Sequence, residues 1–128
     1  ISQLDLFSSL AALVDSNEST GDSKELLDVF LGKSNQGRTE MVIEASTRTA
    51  FRKGDWAMIP PYKGQAVNKY VNIELANSPD YLLYNLKEDI SQQNNLAKSQ
   101  PEKLNEMIAA YEAIYGAKNS DVKQLQLK

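Results

Sequence analysis

The spacing of apolar residues changes several times along the chain, and each change marks an element boundary. In "ISQLDLFSSLAALV", Leu4, Leu6, Phe7, Leu10, Leu13 and Val14 recur at helical spacing. This predicts a short amphipathic helix ending near Asp15, with Asp5 in its first turn. Residues 15–23, "DSNESTGDS", are small, polar or acidic and predict a loop. "SKELLDVFLGK" predicts a second short helix, capped by Ser23, with Leu26, Leu27, Phe30 and Leu31 on one face and Gly32 as its stop.

The period then shortens to two. "TEMVIEAS" alternates Met41, Ile43 and Ala45 against Glu40, Val42 and Glu44. "TAFRKGDWAMIP" reads as two strands joined at Lys53-Gly54-Asp55, with glycine where a tight hairpin needs positive φ. Pro60-Pro61 ends that ladder, since proline has no N–H to donate. Further on, Tyr70, Val71 and Ile73 suggest an edge strand, and "YLLYNL" another strand. The polar stretch that follows, with Asn85, Asp89 and the amides Gln92–Asn95, can close turns through side chain to backbone bonds before Leu96 and Ala97 re-enter the core. Pro101 opens the last element, a helix with Leu104, Met107, Ile108, Tyr111 and Ile114 as its buried stripe and Gly116 as its end. "DVKQLQLK", residues 121–128, fits a tail or a strand equally well.

Consecutive strands with short links imply an antiparallel meander, here of about four strands, packed against the C-terminal helix. The expected fold class is α+β, with one or two helices at the N-terminal end. Composition narrows the chemistry. The 128 residues carry 14 basic and 17 acidic side chains, too mild a balance for a nucleic-acid or anionic-membrane binder. No apolar run reaches the length of a membrane span. There is no cysteine, which excludes disulfides and thiolate metal sites, and no histidine, the commonest general base. The opening residues have neither Met nor a basic region, so they are not a signal peptide and read as an internal stretch of a longer chain.

Several segments resemble the C-terminal end of the type I sulfatases, the formylglycine-dependent, arylsulfatase-like branch of the alkaline phosphatase superfamily. They are "LLYNLKEDISQQNNLA" followed by "PEKLNEMIAAYEAIY", "FRKGDWAMI" at 51–59, "ISQLDLFSSLAALV" and "ELLDVFLGK". They stand in the family's order across nearly the whole chain. Ala57 replaces the family's usual lysine, Ser8-Ser9 its Pro-Thr, and Asp89-Ile90 its Asp-Pro. The resemblance implies that residues 1–33 are the helical end of a catalytic domain and residues 34–128 a C-terminal subdomain. It implies a full-length sulfuric ester hydrolase acting on carbohydrate or aryl sulfates, with calcium and a formylglycine made from Cys or Ser in a C/S-x-P-S-R motif. That motif is absent here, so no catalytic, metal or cofactor residue is expected in this chain and it should be inactive alone. The implied partners are the N-terminal catalytic domain and a sulfated small molecule or glycan, and the implied location is the periplasm or another exported compartment.

Among individual residues, Trp56 suits a sugar platform, but its strand position favours a core role under the last helix. Arg52 and Lys53 read as a solvated hairpin edge and "STRT", residues 46–49, as a polar turn. The acid pairs Asp5/Asp15, Asp22/Asp28 and Glu88/Asp89 lack the dense alternation of a calcium loop. The loop "PPYKGQAVNKY" carries Tyr62, Lys63, Lys69 and Tyr70, aromatic and cationic residues suited to a sulfated sugar, and is the candidate substrate subsite. Apolar residues of the first helix should lie partly bare, so self-association is expected. Two other readings stay open: an autonomous binding module, and the tail of a related phosphoester or phosphonate hydrolase.

Overall fold

The computed structural model describes residues 1–18, 21–45 and 48–119. The chain forms two compact units, Ile1–Thr39 and a second beginning at Glu40. The α+β class and the four-stranded antiparallel sheet are as expected.

The first unit holds a 3-10 turn, Gln3–Asp5, then α1, Leu6–Leu13, and a single helical turn, α2, Leu27–Phe30. Its interior is polar. Asp5 has no accessible surface, and Ser8 and Ser9 are buried, while no apolar side chain among the described residues of this unit is. The Asp5 carboxylate accepts bonds from the Ser2 and Lys24 backbone N–H groups at 3.3 and 3.1 Å. Arg38 donates to it through Nε at 2.8 and 2.9 Å and pairs through Nη2 at 2.7 Å. The Ser8 N–H donates to Ser23 Oγ at 3.0 Å, and the Leu26 N–H to Ser9 Oγ at 2.9 Å. These bonds stitch residues 22–26 to one side of α1. Ser23 therefore does not cap α2. Leu26 is the N-cap residue and has no side-chain cap bond, the Glu25 carboxylate accepts the Leu27 N–H at 2.6 Å, and α2 is shorter than its sequence suggests. Gly32, at φ +72°, ends it as expected.

In the second unit, β1 (Glu40–Ala45), β2 (Arg48–Lys53), β3 (Trp56–Ile59) and β6 (Leu82–Asn85) form one sheet in that order. A separate two-stranded ladder, β4 (Val67–Asn68) with β5 (Ile73–Glu74), lies between β3 and β6 in sequence. Helix α3 runs Pro101–Asn119. Phe51 sits opposite Met58, and Met58 opposite Leu83. These three and Met107 of α3 are the buried apolar core, with Leu104, Ile108, Tyr111 and Ile114 packed against it. Trp56 is half-buried against the same core, with Lys103 Nζ 5.6 Å from its ring centroid. Lys53 lies 3.9 Å from both Glu40 and Glu106, and Arg52 is exposed.

Three expectations change here. Alternation in β1 suggested Met41, Ile43 and Ala45 as its apolar face, but Val42 packs on the core and Ile43 is 48 % exposed. The register decides this, because Val42 pairs with Phe51 and strand residues directly opposite share a face. Tyr70 and Val71 belong to the turn between β4 and β5, and only Ile73 enters a strand. Gly116 does not end α3, which continues to Asn119. A glycine in a helix costs about 1 kcal/mol but keeps its N–H and clashes with nothing, so a packed helix passes through it. Residues 121–128 lie outside the described residues.

The connection after β6 closes as the amides suggested. Asn85 Oδ1 accepts the Lys87 N–H and Asp89 Oδ2 the Asn94 N–H. Asn95 Oδ1 accepts the Leu83 N–H at 3.0 Å and the Ala97 N–H at 3.0 Å, and the Leu96 N–H donates to Leu83 O at 2.7 Å.

Three outcomes follow. Gly54, the first of two turn residues between β2 and β3, has φ +56°. Gly54→Ala should lower stability by about 1–2 kcal/mol in urea unfolding, the cost of a Cβ in the left-handed region. Burial raises the Asp5 carboxyl, but hydrogen bonds from Arg38 and the Lys24 N–H, with the charge of Arg38, outweigh it and hold the group below its ordinary 3.8. A depressed folded pKa stabilises above the unfolded value, so this contribution should be intact above about 3.8 and fade as pH falls below it. Arg38→Ala should cost about 3 kcal/mol, the low end for breaking a buried pair because Arg38 keeps 11 % of its side chain exposed, read as lost amide-exchange protection in α1.

Candidate functional site

A cleft of about 460 Å³ opens at the end of the sheet where β2 begins and β3 ends. Pro60 stops the β3 ladder, and the chain turns so that the Tyr62 N–H donates to Ser78 O at 2.8 Å. The β4–β5 ladder then folds back, pairing Val67 with Glu74 and Asn68 with Ile73. Arg48, at the start of β2, ties this ladder to the main sheet. Its Nη1 donates to Leu75 O and Asn77 Oδ1, both at 3.1 Å, and its guanidinium carbon lies 5.8 Å from the Tyr62 ring centroid. Asn77 in turn donates through Nδ2 to Gln65 O. Gly64 fits against this wall only because it lacks a Cβ, which would lie 2.6 Å from Tyr62 Cε1.

The opposite wall comes from α3. Tyr111 and Tyr115, four residues apart, stack with centroids 5.2 Å apart and planes 14° from parallel. Tyr111 also tilts against Phe51 at 6.0 Å, and its Oη shares a hydrogen bond with Thr49 Oγ1 at 2.8 Å. Burial pushes its phenol above the ordinary value of 10.0, opposed by the Thr49 bond. The exposed Glu74 carboxylate lies at the rim.

Of the four residues expected to form a subsite, Tyr62 lines this cleft. Lys63 is exposed beside it and is not part of the lining, and Lys69 and Tyr70 lie in the β4–β5 turn, Tyr70 at 99 % exposure. The structure thus divides the four. Arg48 and Thr49, which the sequence placed in a polar turn, are strand residues and line the cleft; Ser46 and Thr47 lie outside the described residues. The i, i+4 spacing of Tyr111 and Tyr115 was a readable sign of a paired aromatic surface. The bonds of Arg48, spanning 27 and 29 residues, had no sequence sign. Among the described residues, no three His, Cys, Asp or Glu side chains gather to hold a cation, and no helix is long and apolar enough to cross a membrane.

No family model matches the chain. It is 36 % identical over 117 residues to an N-acetylgalactosamine-6-O-sulfatase of Bacteroides thetaiotaomicron, a match covering 88 % of this chain and 23 % of that protein. A solved sulfatase structure, from a study of glycosaminoglycan metabolism by Bacteroides thetaiotaomicron, superposes with a TM-score of 0.78 at 34 % identity. That match covers 86 % of this chain and 24 % of the other. The chain therefore spans about a quarter of the length of the sulfatases it matches. Sequence identity and superposition agree with the order of motifs, and the chain is related to the C-terminal portion of the sulfatases.

Proposed function

We propose that the chain acts as the C-terminal part of a sulfuric ester hydrolase, packing on a catalytic domain through the apolar side of α1 and carrying no reacting group of its own. The observation that carries this reading is the inversion of the first unit. It buries Asp5, Ser8 and Ser9 and leaves Leu4, Phe7, Leu10 and Leu13 at 50–55 % exposure. Covering such side chains fully is worth about 1.5–3 kcal/mol each, a gain unused while they face water. A polar interior of this kind does not hold a unit of 39 residues together by itself. A permanent neighbour on the apolar side would supply what is missing. The matched sulfatase, of which this chain covers 23 %, has the remaining polypeptide to provide one.

The donor set supports the assignment of chemistry elsewhere. With no C/S-x-P-S-R motif in the sequence, no histidine, and no gathered carboxylates among the described residues, the side chains present do not fit the formylglycine or the calcium ion that the resemblance implies. No catalytic step is assigned to this chain. Its contribution to substrate selection would come from the segment carrying Tyr62, Lys63, Lys69 and Tyr70. The name of the matched relative makes 6-O-sulfated N-acetylgalactosamine the first substrate class to test, and export to the periplasm goes with this reading.

The chain alone should self-associate in light scattering and bind a hydrophobic dye. The pair Phe7→Asp and Leu10→Asp should return it to a monomer with weak dye binding. A wild-type chain that stays monomeric and dark would remove the docking surface. Incubation with 4-nitrophenyl sulfate should release no nitrophenol, and sustained turnover would overturn the division of labour.

A further inference from the structure

We propose that the cleft beside Tyr111 and Tyr115 binds one uncharged pyranose ring of a glycan, by stacking on tyrosine and by hydrogen bonds to ring hydroxyls. The proposal concerns the second unit alone and does not depend on whether α1 docks on a catalytic domain.

The first support is that the wall is already built. Arg48 is fixed by Leu75 O and Asn77 Oδ1, and Asn77 is fixed by Gln65 O. Gly64 packs directly on the Tyr62 ring. Groups held this way lose little freedom when a ligand arrives, which is the main saving in weak, specific binding. This arrangement sits at the surface, where Tyr62 keeps 38 % of its area exposed, so the apolar core has no need of it.

The second support is the kind of surface presented. Tyr62 and the stacked Tyr111–Tyr115 pair offer flat apolar area at low entropic cost. Beside them stand a guanidinium, a carboxylate and a carboxamide, from Arg48, Glu74 and Asn77. A pyranose has the matching form, with C–H groups on its faces and hydroxyls around its rim. The guanidinium and the carboxylate are planar two-pronged groups that suit adjacent hydroxyls, each of which both donates and accepts.

Size and charge select within that class. A volume of about 460 Å³ lies in the range of small-molecule sites, roughly 300–1,000 Å³. Arg48 and Glu74 are the charged residues of the lining, one of each sign, so the lining carries no net charge to attract a sulfate or phosphate. A neutral sugar unit fits better than the charged group itself.

The test is an NMR titration of the full chain with N-acetylgalactosamine, an unsulfated chondroitin tetrasaccharide and its 6-sulfated form. Signals of Arg48, Asn77 and Tyr111 and the rings of Tyr62 and Tyr115 should move at millimolar sugar. Trp56, at the other end of β3, should not. The two tetrasaccharides should bind within about threefold of each other, less than 1 kcal/mol apart. Tyr115→Leu, which keeps apolar packing and removes the aromatic face, should weaken binding about tenfold, equal to 1.4 kcal/mol. Gly64→Ala, which forces the Tyr62 ring to shift, should weaken it similarly, with circular dichroism confirming an intact fold. The proposal is overturned by no shift at the cleft, by shifts only elsewhere, by binding of the sulfated form alone, or by full affinity in both variants. Cleft signals that respond to protein concentration and not to sugar would assign the surface to a second copy of the chain, and would overturn it too.

Discussion

The second unit depends on four side chains meeting under one helix. Phe51, Met58 and Leu83 come from three neighbouring strands and Met107 from α3, and each is at most 1 % exposed. Because side chains alternate along a strand, fixing one inward residue per strand fixes the parity of all the others. Val42 is drawn inward by its pairing with Phe51, and Ile43 is turned outward. The same anchor places Tyr111 over Phe51 and within reach of Thr49. The cleft is thus a consequence of the core: its helical wall stands where Met107 seats α3.

This explains how much could be read from the residues. The hairpin at Gly54, the proline stops, the α3 stripe and the amide-closed connection after β6 all rest on interactions within a few positions or on a strict period. These were legible. The face of β1 was not, because both of its faces carry apolar residues and only the partner strand decides between them. Gly116 misled for a related reason: a propensity of about 1 kcal/mol is small against a helix already packed on a sheet. In the candidate site, Tyr62 was legible as an aromatic on a loop after two prolines. Arg48 was hidden because its partners, Leu75 and Asn77, lie 27 and 29 residues away, just past the β4–β5 ladder.

The first unit shows the opposite case, in which the pattern was legible and its meaning depended on what surrounds it. The helical spacing of Leu4, Phe7, Leu10 and Leu13 did give a helix. What turns inward within the unit is the polar side, where Asp5 and Ser9 accept the Lys24 and Leu26 backbone N–H groups and the Ser8 N–H donates to Ser23 Oγ. Ser8 and Ser9 stand where the sulfatase pattern usually has Pro-Thr. Ser9 accepts such a bond, and Ser8 donates to Ser23 Oγ a backbone N–H that a proline would lack, so the local change strengthens the stitching of this loop.

The closure of β6 bears on how the protein behaves at high concentration. An outer strand normally offers unpaired N–H and C=O groups to any passing chain. Here both outward groups of Leu83 are taken, the N–H by the Asn95 side chain and the carbonyl by the Leu96 N–H. An edge covered at its centre in this way is a poorer template for strand addition than a bare one. The amide-rich segment that looks like a mere connector is thus also a cover for the middle of this edge.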